Sequence, residues 1–225
     1  GYGITQAICE ELFAVGVDVI TSGNHIWDQK ETMDFIRKEK RLLRPWNFGE
    51  GTPGSGFEIY EKNNFKIGVM NLMGNVYMKK TDPVFPFIEE KIKNIKLKKD
   101  LDFLFVDIHA EITSEKQAMG YFLDGKATLV VGTHTHTPTL DFRILEHGTA
   151  YQTDAGMCGD YNSIIGMDSD KALKRFFTEE RTERLTPANG EGTITGVRVV
   201  GDVNTGLAKE IEPIIIGGRL TKKFK

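Results

Sequence analysis

Short apolar runs that alternate with helical segments constrain this chain more than any other feature. Runs at residues 17–22 (VDVITS), 66–72, 102–108 and 128–133 are rich in Val, Ile, Leu and Phe, and each is followed within two residues by a polar residue or a glycine. Strands that are apolar nearly throughout must be covered on both faces, which is the condition of a parallel sheet built from βαβ units. Helical spacing between the runs, over 85–98 and 115–123, supplies the crossovers. Ahead of them, Thr5 is placed to cap a helix whose apolar positions are Ile8, Leu12 and Val15, and Gly16 is placed to close it. Asp28 and Glu31 form a capping-box pattern that predicts a second helix to about Lys40. Residues 44–56 read as a Gly- and Pro-rich loop leading to a strand at 57–61. Beyond residue 140, strands are predicted at 141–146, 150–153, 194–200 and 208–216, with one helix at 169–177. That part is strand-rich and reads as antiparallel. No repeat or linker interrupts the pattern, so residues 1–225 are expected to form a single α/β domain.

Composition narrows the function classes. The formal net charge of -3 gives no basic excess for a duplex nucleic-acid backbone or an anionic membrane. The charge run Lys91–Asp100 is interleaved with Ile92, Ile95 and Leu97 and reads as the wet face of a helix. Cys9 and Cys158 form no CxxC pair, which fits a reducing cytosol and provides no thiolate metal site. No apolar run reaches transmembrane length and no signal peptide is visible.

The histidines carry the chemistry. Of five, four stand at or just past the end of a predicted strand: His25 after 17–22, His109 after 102–108, and His134 and His136 after 128–133. Ligands of open α/β sheets bind at the carboxyl ends of strands. His134 and His136 are two apart, so on an extended segment they share a face. Neutral imidazole suits Zn, Mn or Fe, and Asn24 adds a harder carbonyl oxygen. Four unrelated, locally satisfied polar residues are the alternative, but three strand ends finishing alike favour a metal site. His147, in EHGTA, reads as a structural turn residue. Thr133, Thr135 and Thr137 read as β-formers, and Asp28 as a helix cap sooner than as a partner of His25. Trp46 and Tyr161 lie in loops, where a ring can pack or stack on a base; packing is the simpler reading. Phe13, Phe35, Phe103, Phe105 and Phe122 read as core.

The ordered set Gly23-Asn24-His25, His109 and Gly132-Thr133-His134-Thr135-His136 resembles the calcineurin-like metallophosphoesterase superfamily. The stretches LLRPWNFGEGTPGSGF, NLMGNVYM, VDIHAEITSEKQAMGYFLDGK, VVGTHTHTPT and AYQTDAGMCGDYNSIIGMD, continued by RFFTEERTERLTPANGEGTITGV, are similar to the YmdB-like family of bacterial metallophosphoesterases across nearly the whole chain. The resemblance implies a sandwich of two mixed β-sheets flanked by helices. It implies a two-metal site of iron, manganese or zinc ions, with Asn24, His109 and His134 on one metal, His136 on the other, and His25 as the proton donor to the leaving oxygen. It implies a phosphodiesterase for cyclic nucleotides, including 2′,3′-cyclic ones, in a cytoplasmic protein able to form homo-oligomers. In the family, an Asp and a Glu-Asn pair, each ending a strand, precede a segment like Gly1–Thr5 and complete the metal set. The expectation is therefore an upstream segment of about 40 residues, a βαβ length, without which the first βαβ unit would be missing and the site open and poorly metallated. Asp18, Asp28 and Asp107 do not fit those carboxylate positions. A non-catalytic metal-binding signalling protein with the same fold is the competing reading. A mononuclear amide or ester hydrolase leaves the order of the motifs unexplained.

Overall fold

The computed structural model describes residues 2–178 and 184–220. Gly1, residues 179–183 of the tail stretch quoted above, and residues 221–225 lie outside that description. In chain order the elements are α1 (Gln6–Ala14), α2 (Thr32–Phe35), β1 (Phe57–Lys62), β2 (Phe65–Met73), α3 (Val84–Ile92), β3 (Phe103–His109) and α4 (Thr113–Phe122), followed by β4 (Leu129–Thr133), β5 (Arg143–Ile144), β6 (Ala150–Gln152), β7 (Gly159–Asp160), α5 (Ser169–Phe177), β8 (Gly192–Gly201) and β9 (Ala208–Ile216).

The apolar runs form the centre of a six-stranded sheet in the order β1-β2-β3-β4-β6-β5. β2, β3 and β4 are parallel neighbours, as their two-sided hydrophobicity requires; β6, in the part expected to be antiparallel, instead lies parallel to β4, and β1 and β5 close the edges antiparallel. α3 and α4 are the crossovers. Val84, Ile88 and Met119 from these helices meet Met70, Leu104, Val106 and Val130 in the main core. On the sheet's other face, Leu129, Val131 and Ala150 are covered by Val197, Val199 and Ile211 of β8 and β9. Those two strands and β7 make a separate antiparallel sheet in the order β7-β8-β9. The result is the expected two-sheet α/β sandwich. Among the described residues no helix is long and apolar enough to cross a membrane.

Several elements differ from expectation for local reasons. Residues 17–22 are not a strand; Ile20 makes one parallel bridge to Leu42. Segments 42–43 and 55–56 intervene between it and β2, and the segment is fastened by the Ser22 amide on the Asn71 side chain (3.0 Å). The second helix is a single turn. Glu31 is turned to the amide of Gln6 (2.9 Å), at the start of α1, and does not close a capping box with Asp28. Thr5 does cap α1 (3.2 Å to the Ile8 amide) and Gly16 ends it at φ +101°, but α1 buries Cys9 and leaves Ile8 and Val15 exposed. α3 stops at Ile92, earlier than predicted, and the following charge run is not a helix face. Its backbone tightens into i→i+3 turns, and the Asp100 carboxylate accepts the Lys96 amide at 2.9 Å.

Candidate active site

Two strand ends and the segment after the Ile20 bridge build one cleft. His109 is the last residue of β3 and is registered beside Met73 of β2 and Thr133 of β4. His134 follows β4 directly, and Gly23-Asn24-His25 follows the Ile20 bridge. The Nε2 of His109 lies 3.0 Å from Asn24 Oδ1 and 3.1 Å from His134 Nδ1. Gly23 permits this approach, because a Cβ there would sit 2.1 Å from His109 Nε2. The leading glycine of the Gly-Asn-His motif is therefore a space requirement.

Hydrogen-bond partners assign the tautomers. The Thr133 hydroxyl donates to Asp107 Oδ1 (2.8 Å), so it accepts from His109 Nδ1 (3.0 Å), leaving the Nε2 lone pair facing Asn24 and His134. His134 Nε2 donates to Glu111 Oε2 (2.9 Å), so its Nδ1 also presents a lone pair. An amide oxygen and two neutral nitrogens thus converge with no proton between them. That donor set fits a borderline transition metal. Burial, followed by the charges near it at His134 and Lys116, pushes His109 down to about 3, so it stays neutral and able to ligate. Burial likewise lowers His134, against the opposing pull of Glu111. Among the described residues no group of three or more His, Cys, Asp or Glu side chains is placed to hold a metal ion.

His136 lines the same cleft but stands apart from the trio. Its Nδ1 donates to the Ile165 carbonyl (2.7 Å), which leaves Nε2 free. His25 also lines the cleft. Its Nδ1 is 2.6 Å from Asp28 Oδ2, and Lys79 reaches the other oxygen at 3.3 Å. Burial alone would raise the Asp28 carboxyl, yet the His25 hydrogen bond and the Lys79 charge hold it below the ordinary value. Asp28 is accordingly a partner of His25 and not a helix cap. The cleft encloses about 530 Å³.

A buried frame holds the histidine turn. His134 and His136 have φ values of +105° and +65°, a region costly for residues with a Cβ. Between them, the Thr135 amide and hydroxyl both donate to Asp154 Oδ2, at 3.0 and 2.7 Å. Asp154 also pairs with Lys116 of α4 at 2.7 Å, and both side chains are 1% exposed. Gly132 admits the Thr153 backbone, whose oxygen would lie 1.8 Å from an added Cβ. Burial, before any neighbouring charge, pushes Asp107 up to about 6.

Asn24, His25, His109, His134 and His136 thus share one cleft, and His147 lies elsewhere, bonded to Asp124 (3.0 Å) as a turn residue. Trp46 stacks on Phe57 at 5.2 Å and Tyr161 gives its hydroxyl to the 157–161 turn, so neither is a base platform. Sequence reading missed Glu111, Lys116 and Asp154, and took Thr133 and Thr135 for simple β-formers. Asp154 carries the same signal as the histidines, since it follows the end of β6.

Polar donors gathered at the carboxyl edge of a two-sheet α/β sandwich mark a ligand site, and relatives named as phosphodiesterase and phosphatase give its class, a phosphoesterase-type hydrolase. The chain belongs to the YmdB-like protein family, whose family model matches residues 1–214. A Bacillus subtilis (strain 168) protein named 2′,3′-cyclic-nucleotide 2′-phosphodiesterase is 45% identical over 216 residues, 96% of this chain and 81% of that protein. A crystal structure of a hypothetical protein from Thermus thermophilus superposes with a TM-score of 0.90 at 36% identity, covering 97% of this chain and 84% of the other. That of a Mycoplasma pneumoniae protein described as a novel phosphatase gives 0.86 at 37% identity, covering 96% and 78%.

Proposed function

We propose that this protein is a metal-dependent phosphodiesterase that opens 2′,3′-cyclic nucleotides at the 2′ oxygen. The observation that carries this reading is the meeting of three lone pairs, from Asn24, His109 and His134, at contacts of 3.0 and 3.1 Å beside His25. The B. subtilis relative supports the choice of substrate. Asn24, His109 and His134 would hold one transition metal, iron, manganese or zinc, and His136 a second through Nε2. Bound metals supply neutralisation of the phosphoryl oxygens and a water that ionises near neutral pH.

The chain's own residues do the rest. Asp28 accepts from His25 Nδ1 and so leaves Nε2 to face the substrate. As water adds to phosphorus and the P–O2′ bond breaks, His25 in its imidazolium form, paired through Nδ1 with the Asp28 carboxylate, passes its Nε2 proton to the departing 2′ oxygen and is left as the neutral ring. The ribose regains its hydroxyl and the phosphate stays on the 3′ carbon. Glu111 fixes the His134 ring, and the Thr133–Asp107 pair fixes that of His109. Two unpaired thiols, one buried and one exposed, support a cytoplasmic working place.

The test is hydrolysis of adenosine 2′,3′-cyclic monophosphate by metal-loaded protein, with 3′-AMP as the expected product. His25→Ala should lower kcat by about two to four orders of magnitude and keep the metal. The loss should be smaller on bis(4-nitrophenyl) phosphate, whose leaving group needs no proton. No turnover of the cyclic nucleotide by metal-loaded protein overturns the reading, and equal losses on both substrates remove His25 as the acid.

A further inference from the structure

The cleft has two chemically unlike linings. Beside the histidines stand six apolar side chains: Ile164, Ile165 and Met167 of one turn, Ala172 and Phe176 of α5, and Leu185. The turn is tight. Ile164 and Met167 exchange backbone hydrogen bonds of 3.0 and 2.9 Å, and Ile165 and Gly166 between them have φ values of +49° and +90°. Its tip is tied to the site, because the Ile165 carbonyl is the acceptor for His136 Nδ1 at 2.7 Å. α5 follows at once, capped by Asp168 on the Lys171 amide (3.1 Å), and carries Phe176 to the rim. Ile165 is 57% exposed and Phe176 79% exposed.

Large apolar side chains left in water beside a polar, cation-holding centre suit a ligand of matching polarity. One end must be anionic and the other flat and apolar. A bare phosphate ester uses only the polar lining, whereas a nucleoside cyclic phosphate uses both. We infer that the 164–167 turn and α5 form a nucleobase subsite, with Phe176 as the stacking platform and Ile165 and Met167 in apolar contact with the base. The inference rests on the phosphodiesterase reading and deepens it. Since stacking needs only a π face, every base is accepted, and purines are favoured over pyrimidines through larger contact. Trp46 and Tyr161, the loop aromatics, are engaged elsewhere.

The experiment compares adenosine 2′,3′-cyclic monophosphate with methyl β-D-ribofuranoside 2,3-cyclic phosphate, the same reacting group without a base. Wild-type protein should prefer the nucleotide in kcat/KM. In Phe176→Ala that preference should fall by about 5- to 150-fold, the usual range for one base–aromatic stack, with the change in KM. Phe176→Trp should restore it, and Phe176 is exposed enough for both variants to fold. Equal kcat/KM on the two substrates in wild type, or an unchanged preference in Phe176→Ala, overturns the base subsite and leaves the phosphodiesterase reading standing. If wild-type protein hydrolyses neither compound, the reading and the inference fall together.

Discussion

The pair Lys116–Asp154 should be among the costliest in the protein to break. Both side chains are 1% exposed, and Asp154 is also the acceptor for the Thr135 amide and hydroxyl and, through Oδ1, for the Gly156 amide at 2.9 Å. Removing one charge strands the other in a medium that solvates it poorly. Lys116→Met and Asp154→Asn should each cost about 3–5 kcal/mol. At a urea slope near about 2 kcal/mol/M this moves the midpoint down by about 1.5–2.5 M. The double variant removes both charges and keeps an oxygen for the Thr135 amide and hydroxyl, losing only the acceptor for the Gly156 amide. It should therefore lose far less than the sum, a coupling of at least about 2 kcal/mol. Urea unfolding of the four proteins closes the cycle. Single losses below about 1 kcal/mol, the range of exposed pairs, or simple additivity would refute the reasoning.

Three further outcomes are expected. Gly23→Ala drives a methyl into His109 Nε2, so metal content and turnover should both fall while far-ultraviolet circular dichroism stays native; an active, fully metallated variant would show that the approach is not needed. Asp28→Asn should lower kcat on the cyclic nucleotide by less than His25→Ala does, since the acid remains but loses its orienting carboxylate; a loss as large as that of His25→Ala in steady-state assays would give Asp28 a role of its own. Burial raises the Asp124 carboxyl, but the amides of His147 and Thr149 and the His147 ring bring it below its ordinary value. A depressed carboxylate contributes stability above its unfolded value, near about 3.9, and that stability is lost as pH falls through the folded value. The acid limb of thermal stability should thus be shallower in Asp124→Asn, and coincident limbs would contradict this.

Much of this architecture was legible from pattern. The runs at 66–72, 102–108 and 128–133 became neighbouring parallel strands because chains apolar on both faces have few other solutions. His109, His134 and His136 were legible as a set for a related reason: the carboxyl ends of neighbouring parallel strands must share an edge. VDVITS failed as a strand because its ladder position depends on residues 42–43 and 55–56, whose path no local pattern reports. Asp28 and Glu31 matched a capping box, yet Asp28 turns back to His25, three residues earlier, and Glu31 reaches the Gln6 amide, a tertiary partner 25 positions away. Lys116 was invisible for the same reason. It sits in a polar helical stretch, SEKQ, and only its pairing with Asp154, 38 positions away, makes it buried. Thr133 and Thr135 fit strand propensity, and their roles appear only once Asp107 and Asp154 stand behind them.

Elemental analysis of the purified protein tests most directly whether Asn24, His109 and His134 hold a transition metal. Wild-type protein should carry iron, manganese or zinc, and His109→Ala and His134→Ala should each lower the metal per chain. Full occupancy in both variants would contradict the assignment of the site.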